Sequence, residues 1–139
     1  SFRPVITGIP IANSVDAGKR PRSSMAPTFI FDEYGHLIMA VGSPGGSRII
    51  GFVVKTIIAT LDWNMGLNDA INLPNFVHRN DQIDLERGTS IENLAAPLRA
   101  LGHQVKIRSL TSGLQGILID KGRIQGGSDN RREGVAIGD

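Results

Sequence analysis

Cysteine is absent from the 139 residues. Disulfides, thiolate metal sites and a cysteine nucleophile are therefore excluded. A strong excess of one charge sign is missing too: 15 Lys and Arg face 13 Asp and Glu, a net of +2. The basic residues stand singly or in pairs, so no nucleic-acid partner is expected. No apolar run reaches membrane length. The longest, residues 49–61, is broken by Lys55 and falls short of the roughly 20 residues a bilayer requires. The first residues lack a basic segment followed by an apolar one, so no signal peptide is read. They begin at Ser1 rather than Met, which fits a processed or excised chain.

Several catalytic patterns are also missing. His36, His78 and His103 are not at ligand spacing, and there is no His-Glu-x-x-His. No metal and no cofactor are expected, and the histidines read as surface or half-buried residues. No Gly-x-Ser-x-Gly elbow anchors a serine triad. Asp32 and Glu33 are adjacent, so their side chains diverge and make poor acid/base partners.

What is present is a globular balance, 40% hydrophobic and 20% charged, at a length suited to one domain spanning residues 1–139. Residues 1–28 read as a loop, punctuated by Pro4, Pro10, Pro21 and Pro27. Val5, Ile6, Ile9, Ile11 and Val15 require cover, so this loop is expected to pack against another surface.

Residues 29–32 and 36–41 predict a β-hairpin around Glu33-Tyr34-Gly35. From Arg48 to Trp63, Ile50, Val53, Val54, Ile57, Ile58 and Leu61 recur at helical spacing, and a stretch of about 15 residues is long for a strand. Ile49 and Phe52 widen the stripe, so this helix is expected to be buried over much of its circumference. A short helix is predicted over residues 67–73 and a strand over 83–86. Thr89-Ser90-Ile91-Glu92 fits a capping box, ahead of a helix turning Ile91, Leu94, Ala95, Leu98 and Leu101 inward. Pro97 predicts a kink or an early break in it. Residues 105–110, 114–120 and 123–125 read as strands, with Lys121-Gly122 as a turn and a further strand over 135–137. The fold class is α+β, a mainly antiparallel sheet with packed helices.

Two loops carry chemistry. In Gly42-Ser43-Pro44-Gly45-Gly46-Ser47 a strand turns into a helix through two successive glycines. Without Cβ atoms, a reacting group can approach their backbone, and amides at a helix start favour an anion. A phosphate, a carboxylate or the oxyanion of a tetrahedral intermediate fits, as does a purely structural tight turn. The Walker lysine and the dinucleotide glycine spacing are both missing. In Gly18-Lys19-Arg20-Pro21-Arg22-Ser23-Ser24-Met25-Ala26-Pro27-Thr28, two adjacent hydroxyls sit between prolines behind a basic run. Such hydroxyls can donate to a carboxylate, or simply cap a turn.

Taken together, these two loops resemble signatures of the small subunit of the γ-glutamyltranspeptidase family of N-terminal nucleophile hydrolases. Asp129, Arg131-Arg132-Glu133-Gly134 and Gly138 resemble that family's C-terminal end. The resemblance covers about residues 17–139. It implies part of an αββα sandwich and an autoprocessed precursor that divides into a large and a small chain. It further implies a new N-terminal Thr that attacks the γ-glutamyl group of glutathione or a similar donor, its own amine acting as base. Acceptors would be water, amino acids or peptides. By the same resemblance, Ser23 and Ser24 hold the donor's α-carboxylate, Gly45 and Gly46 form the oxyanion hole, and Arg22 and Met25 lend support. The setting implied is periplasmic or extracellular. Ser1-Phe2-Arg3-Pro4 does not match the family's start, so Ser1 is not assigned as nucleophile and the chain reads as a C-terminal portion of the small subunit. Its expected partners are the large subunit and the missing N-terminal part of the small one. Two other readings stand beside this: a non-catalytic anion- or nucleotide-binding module using residues 42–47, and a scaffold in which that loop is only a turn.

Overall fold

The structure, a computed structural model, describes residues 16–20 and 24–138. Most of the packed loop expected over residues 1–28, together with Arg22 and Ser23, lies outside the described residues.

The hairpin forms as expected, from β1 (Thr28–Phe31) and β2 (Leu37–Gly42). Its turn is closed by Asp32, whose Oδ1 accepts from the Tyr34 and His36 N–H groups at 2.9 and 2.8 Å. β2 also pairs antiparallel with β6 (Gln115–Asp120), which pairs antiparallel with β7 (Arg123–Ser128), giving the order β1-β2-β6-β7. Lys121 and Gly122 both have positive φ, the geometry that a two-residue hairpin turn demands. Alternation along β2 sends Met39 and Val41 into the core.

Onto that face pack α1 (Ile49–Leu61) and α2 (Leu67–Asn72). Met39, Phe52, Leu67, Ile71 and Leu114 are fully buried in one contiguous apolar cluster, which also takes in Val77 of β3 (Phe76–Arg79). Each such side chain contributes about 1.5–3 kcal/mol relative to exposure. The helix α1 is less enclosed than its composition predicts. Ile50, Val54, Ile58 and Leu61, spaced three and four apart, form an exposed stripe, with Ile50 at 56%. The opposite face of the first sheet is open as well: Phe29 is 62% and Ile124 74% exposed.

A second sheet has the order β3-β4-β5, with β4 at Gln82–Glu86 and β5 at Gln104–Arg108. β3 was not predicted. It pairs antiparallel with β4 across Asn80 and Asp81, both at positive φ. The pair β4–β5 is parallel, an exception within a mostly antiparallel α+β fold. Parallel neighbours need a crossover, and residues 90–100 supply it. This crossover differs from the capped helix, kinked or broken early at Pro97, that is expected there. It starts as a 3-10 helix over Ser90–Leu94 and becomes α3 only at Ala95–Ala100. Pro97 then falls in the first turn of α3, where its missing N–H costs nothing. The capping box is not formed. Thr89 Oγ1 donates to the Glu86 carbonyl at 2.8 Å, and Glu92 reaches back to the Gly88 N–H instead. Of the residues expected inward, Ala95 is buried, while Leu94 and Leu101 face solvent. Residues 135–137 follow an irregular path rather than a strand.

Candidate active site

β2 ends at Gly42, and the chain turns through Ser43 and Pro44 into the two glycines. Gly45 has φ 143° and ψ 8°, and Gly46 has φ 59°. A ψ near zero eclipses successive nitrogens, so the Gly45 and Gly46 amides lie on one side of the chain, as in the backbone nests that hold anions. Among the described residues neither N–H has an acceptor. A 3-10 turn over Gly46–Arg48 then leads into α1. A Cβ at Gly45 would lie 2.7 Å from Phe52 Cε2, whereas one at Gly46 would meet nothing within 4 Å.

The nearby Arg48 guanidinium is already engaged. Its Nε and Nη2 donate to Asp84 Oδ2 at 3.0 and 2.7 Å, and Arg108 stands 3.7 Å from the same oxygen. Burial alone would raise the Asp84 pKa, but hydrogen bonds from Arg48 and Gln82 and the two cationic charges outweigh it and leave it lowered. The Arg48 guanidinium is therefore committed to Asp84 rather than to the loop amides.

Ser24 is half-buried, and Ala26 packs against the core. Thr28 pairs with Val41, so residues 24–27 and residues 42–47 leave the sheet at the same end. The structure thus brings these two segments to one edge of the fold. Ser23 and Arg22 fall outside the described residues, and Met25 is 80% exposed. A wide groove on the open face of the first sheet, lined by Phe29, Gly42, Ile117, Ile124, Val135 and Ile137, includes none of Ser24, Gly45 or Gly46.

Behind the loop lies a buried polar cluster that the sequence reading missed. Lys55 Nζ donates to the Ile71 and Leu73 carbonyls and to Asn75 Oδ1, at 3.1, 2.8 and 3.0 Å. The Asn75 N–H donates to Glu86 Oε2 at 2.6 Å, and Asn75 Nδ2 to Ser112 Oγ at 2.8 Å. The Ser112 hydroxyl donates to Asp129 Oδ2, which also accepts from the Leu114 N–H at 3.0 Å. Arg131 forms a two-pronged pair with Glu86 and reaches Asp129 Oδ1 at 3.1 Å. Two cations and two carboxylates thus balance, as buried charge must. Lys55 inside an apolar helix and the Asp129–Arg131 run were visible signals. Asn75, Glu86 and Ser112 were not, because they join the cluster across long stretches of chain.

Lys55 carries a testable consequence. Burial first, and then the Arg131 charge, push its pKa down to about 8, with Asp129 and Glu86 partly opposing; the ordinary value is 10.5. Between those values the unfolded chain binds more protons than the folded one, so this residue's contribution to stability rises with pH from about 8 to 10.5. The wild-type minus Lys55→Met difference in urea midpoint should therefore climb between about pH 8 and pH 10. A flat or falling difference contradicts the assignment.

The family model described as Gamma-glutamyltranspeptidase matches residues 5–139. The glutathione hydrolase proenzyme of Escherichia coli (strain K12) is 36% identical over 123 residues, covering 86% of this chain and 21% of that protein. The glutathione hydrolase proenzyme of Bacillus subtilis (strain 168) is 34% identical over 131 residues, covering 91% and 22%. The solved γ-glutamyltranspeptidase from Pseudomonas nitroreducens complexed with L-DON matches with a TM-score of 0.79 at 26% identity, over 91% of this chain and 68% of that one. The chain belongs to the γ-glutamyltranspeptidase family, within the N-terminal nucleophile hydrolases. It spans only 21% and 22% of the lengths of those two curated relatives. Among the described residues no helix is long and apolar enough to cross a membrane.

Proposed function

We propose that this chain supplies the oxyanion hole and the carboxylate clamp of an enzyme that cleaves γ-glutamyl amides such as glutathione. The observation that carries the reading is the residue 42–47 loop, whose two unengaged amides lie on one side of the chain, at the sheet end from which the Ser24 segment also leaves. In this reading Ser23 and Ser24 donate to the α-carboxylate of the γ-glutamyl group. The nucleophile is the family's N-terminal Thr, outside these 139 residues, with its own amine taking the hydroxyl proton. As the Thr oxygen attacks, the carbonyl oxygen gains negative charge and the Gly45 and Gly46 N–H groups hold it. The amine leaves, and water, an amino acid or a peptide takes the acyl group. Residues 1–139 act as one domain of the small subunit. The large subunit and the rest of the small one cover the exposed α1 stripe and the open sheet face. The setting is periplasmic or extracellular.

The test is to co-express the chain with the Thr-bearing remainder of its proenzyme and follow amine release from a γ-glutamyl anilide. Release that disappears when the Thr is replaced supports the reading. No release, together with tight phosphate or ATP binding that survives Ser24→Ala, favours the non-catalytic module instead. Full activity in Gly45→Ala would leave the loop a scaffold. A charge-assisted hydrogen bond contributes about 1.5–3 kcal/mol, so Ser24→Ala should raise KM for the donor about 10- to 100-fold. An unchanged KM removes Ser24 from the clamp.

A further inference from the structure

The Ser43 hydroxyl joins two elements of the fold. It donates to the Pro44 carbonyl oxygen at 2.7 Å and accepts from the Gly113 N–H at 3.2 Å. The Pro44 carbonyl and the Gly45 N–H belong to one peptide unit. Such a unit is planar, and no cis peptide occurs among the described residues, so its C=O and N–H point in opposite directions. Whatever holds the carbonyl on one side therefore holds the N–H on the other. The next unit is restrained in the same way, by the Arg48 N–H on the Gly45 carbonyl at 3.3 Å, which turns the Gly46 N–H away.

The anchor itself is firm. Gly113 packs against Pro44 so closely that a Cβ there would lie 2.7 Å from Pro44 Cγ and 2.6 Å from Arg132 Cδ. Arg132 Nε donates to the Ser112 carbonyl at 2.9 Å, and Asp129 holds the Leu114 N–H. Residues 112–114 are thus fixed by the buried polar cluster on one side and by Arg132 on the other. Gly45, by contrast, has wide backbone freedom of its own, and nothing in its chemistry keeps its amide aimed.

We propose that Ser43 is a positioning residue, clamping the carbonyl end of the Pro44–Gly45 peptide to residues 112–114 so that the Gly45 N–H stays directed at the reacting oxygen. This rests on the reading of Gly45 and Gly46 as oxyanion donors. Without the hydroxyl the peptide rotates, and the donor is aimed for only part of the time. The loss falls on the transition state, because the ground-state carbonyl depends less on that bond.

In the assembled enzyme Ser43→Ala should lower kcat about 10- to 100-fold with KM changed less than about twofold. Ser43→Thr, which keeps the hydroxyl, should recover most of that loss. Amide exchange followed by NMR on the full chain reads the clamp without any turnover. Gly113 N–H exchange should accelerate about 10-fold or more in Ser43→Ala, the Gly45 amide shift should move, and both should return in Ser43→Thr. A wild-type kcat in Ser43→Ala, a kcat loss that Ser43→Thr does not recover, or unchanged Gly113 exchange each overturns the proposal. An assembled wild-type protein that cleaves no γ-glutamyl amide defeats the functional reading, and the exchange arm still decides whether Ser43 orients the loop.

Discussion

On the proposed function, Gly45→Ala in the assembled protein should reduce kcat for γ-glutamyl hydrolysis by about two to three orders of magnitude, the loss seen when one oxyanion donor is removed. Two independent strains bring this about. The new Cβ would stand 2.7 Å from Cε2 of the buried Phe52 ring, so the ring or the loop must move. A φ of 143° is also one that alanine rarely adopts. The loop must shift, and the amide shifts with it. Gly46→Ala is the informative comparison. Its Cβ meets nothing within 4 Å, and its φ of 59° lies in the left-handed region, at a cost of about 1–2 kcal/mol for alanine. Its N–H survives the substitution. Steady-state kinetics of the two variants side by side should show Gly45→Ala far worse, with KM moving less than kcat. Equal losses would mean that the loop tolerates or resists both changes for reasons unrelated to the aim of the amides.

Arg131→Met should destabilise the chain by about 3–5 kcal/mol, because it leaves buried carboxylates without their cation. Asp129 is 0% exposed at its side chain and Glu86 9%, and both lean on the one guanidinium. Burial works to raise the Asp129 pKa, but hydrogen bonds from Ser112, Arg131 and Leu114 keep it lowered, so it stays charged in the folded state. Equilibrium urea unfolding at neutral pH measures the effect directly. A loss under about 1 kcal/mol would show that Lys55 or solvent compensates, and that the cluster is not a closed charge unit.

Much of the fold around the candidate site was visible in the amino-acid order because it is local. The hairpin, the Pro44-Gly45-Gly46 turn and the apolar period of α1 each sit within a few residues of their determinants. The rest depends on distant parts of the chain. Ile50, Val54, Ile58 and Leu61 have the composition of a buried face but lie exposed in this chain, so periodicity alone overstated how enclosed α1 is. Thr89 and Glu92 had the right spacing for a capping box, but the 3-10 start of the crossover put their partners elsewhere. Phe76–Arg79 is too short to declare itself and becomes a strand through its pairing with β4. The polar cluster could not be read locally, since Asn75, Glu86, Ser112, Asp129 and Arg131 meet only after both sheets form.

The decisive measurement is a crystal structure of the assembled protein with a γ-glutamyl analogue whose reactive carbon is held tetrahedral, as in a boronate. The account predicts one boronate oxygen about 2.7–3.1 Å from both the Gly45 and Gly46 nitrogens. It also predicts the α-carboxylate on the hydroxyls of Ser23 and Ser24. An adduct whose oxygen is held elsewhere, with residues 42–47 folded as described and their amides turned from it, would contradict it.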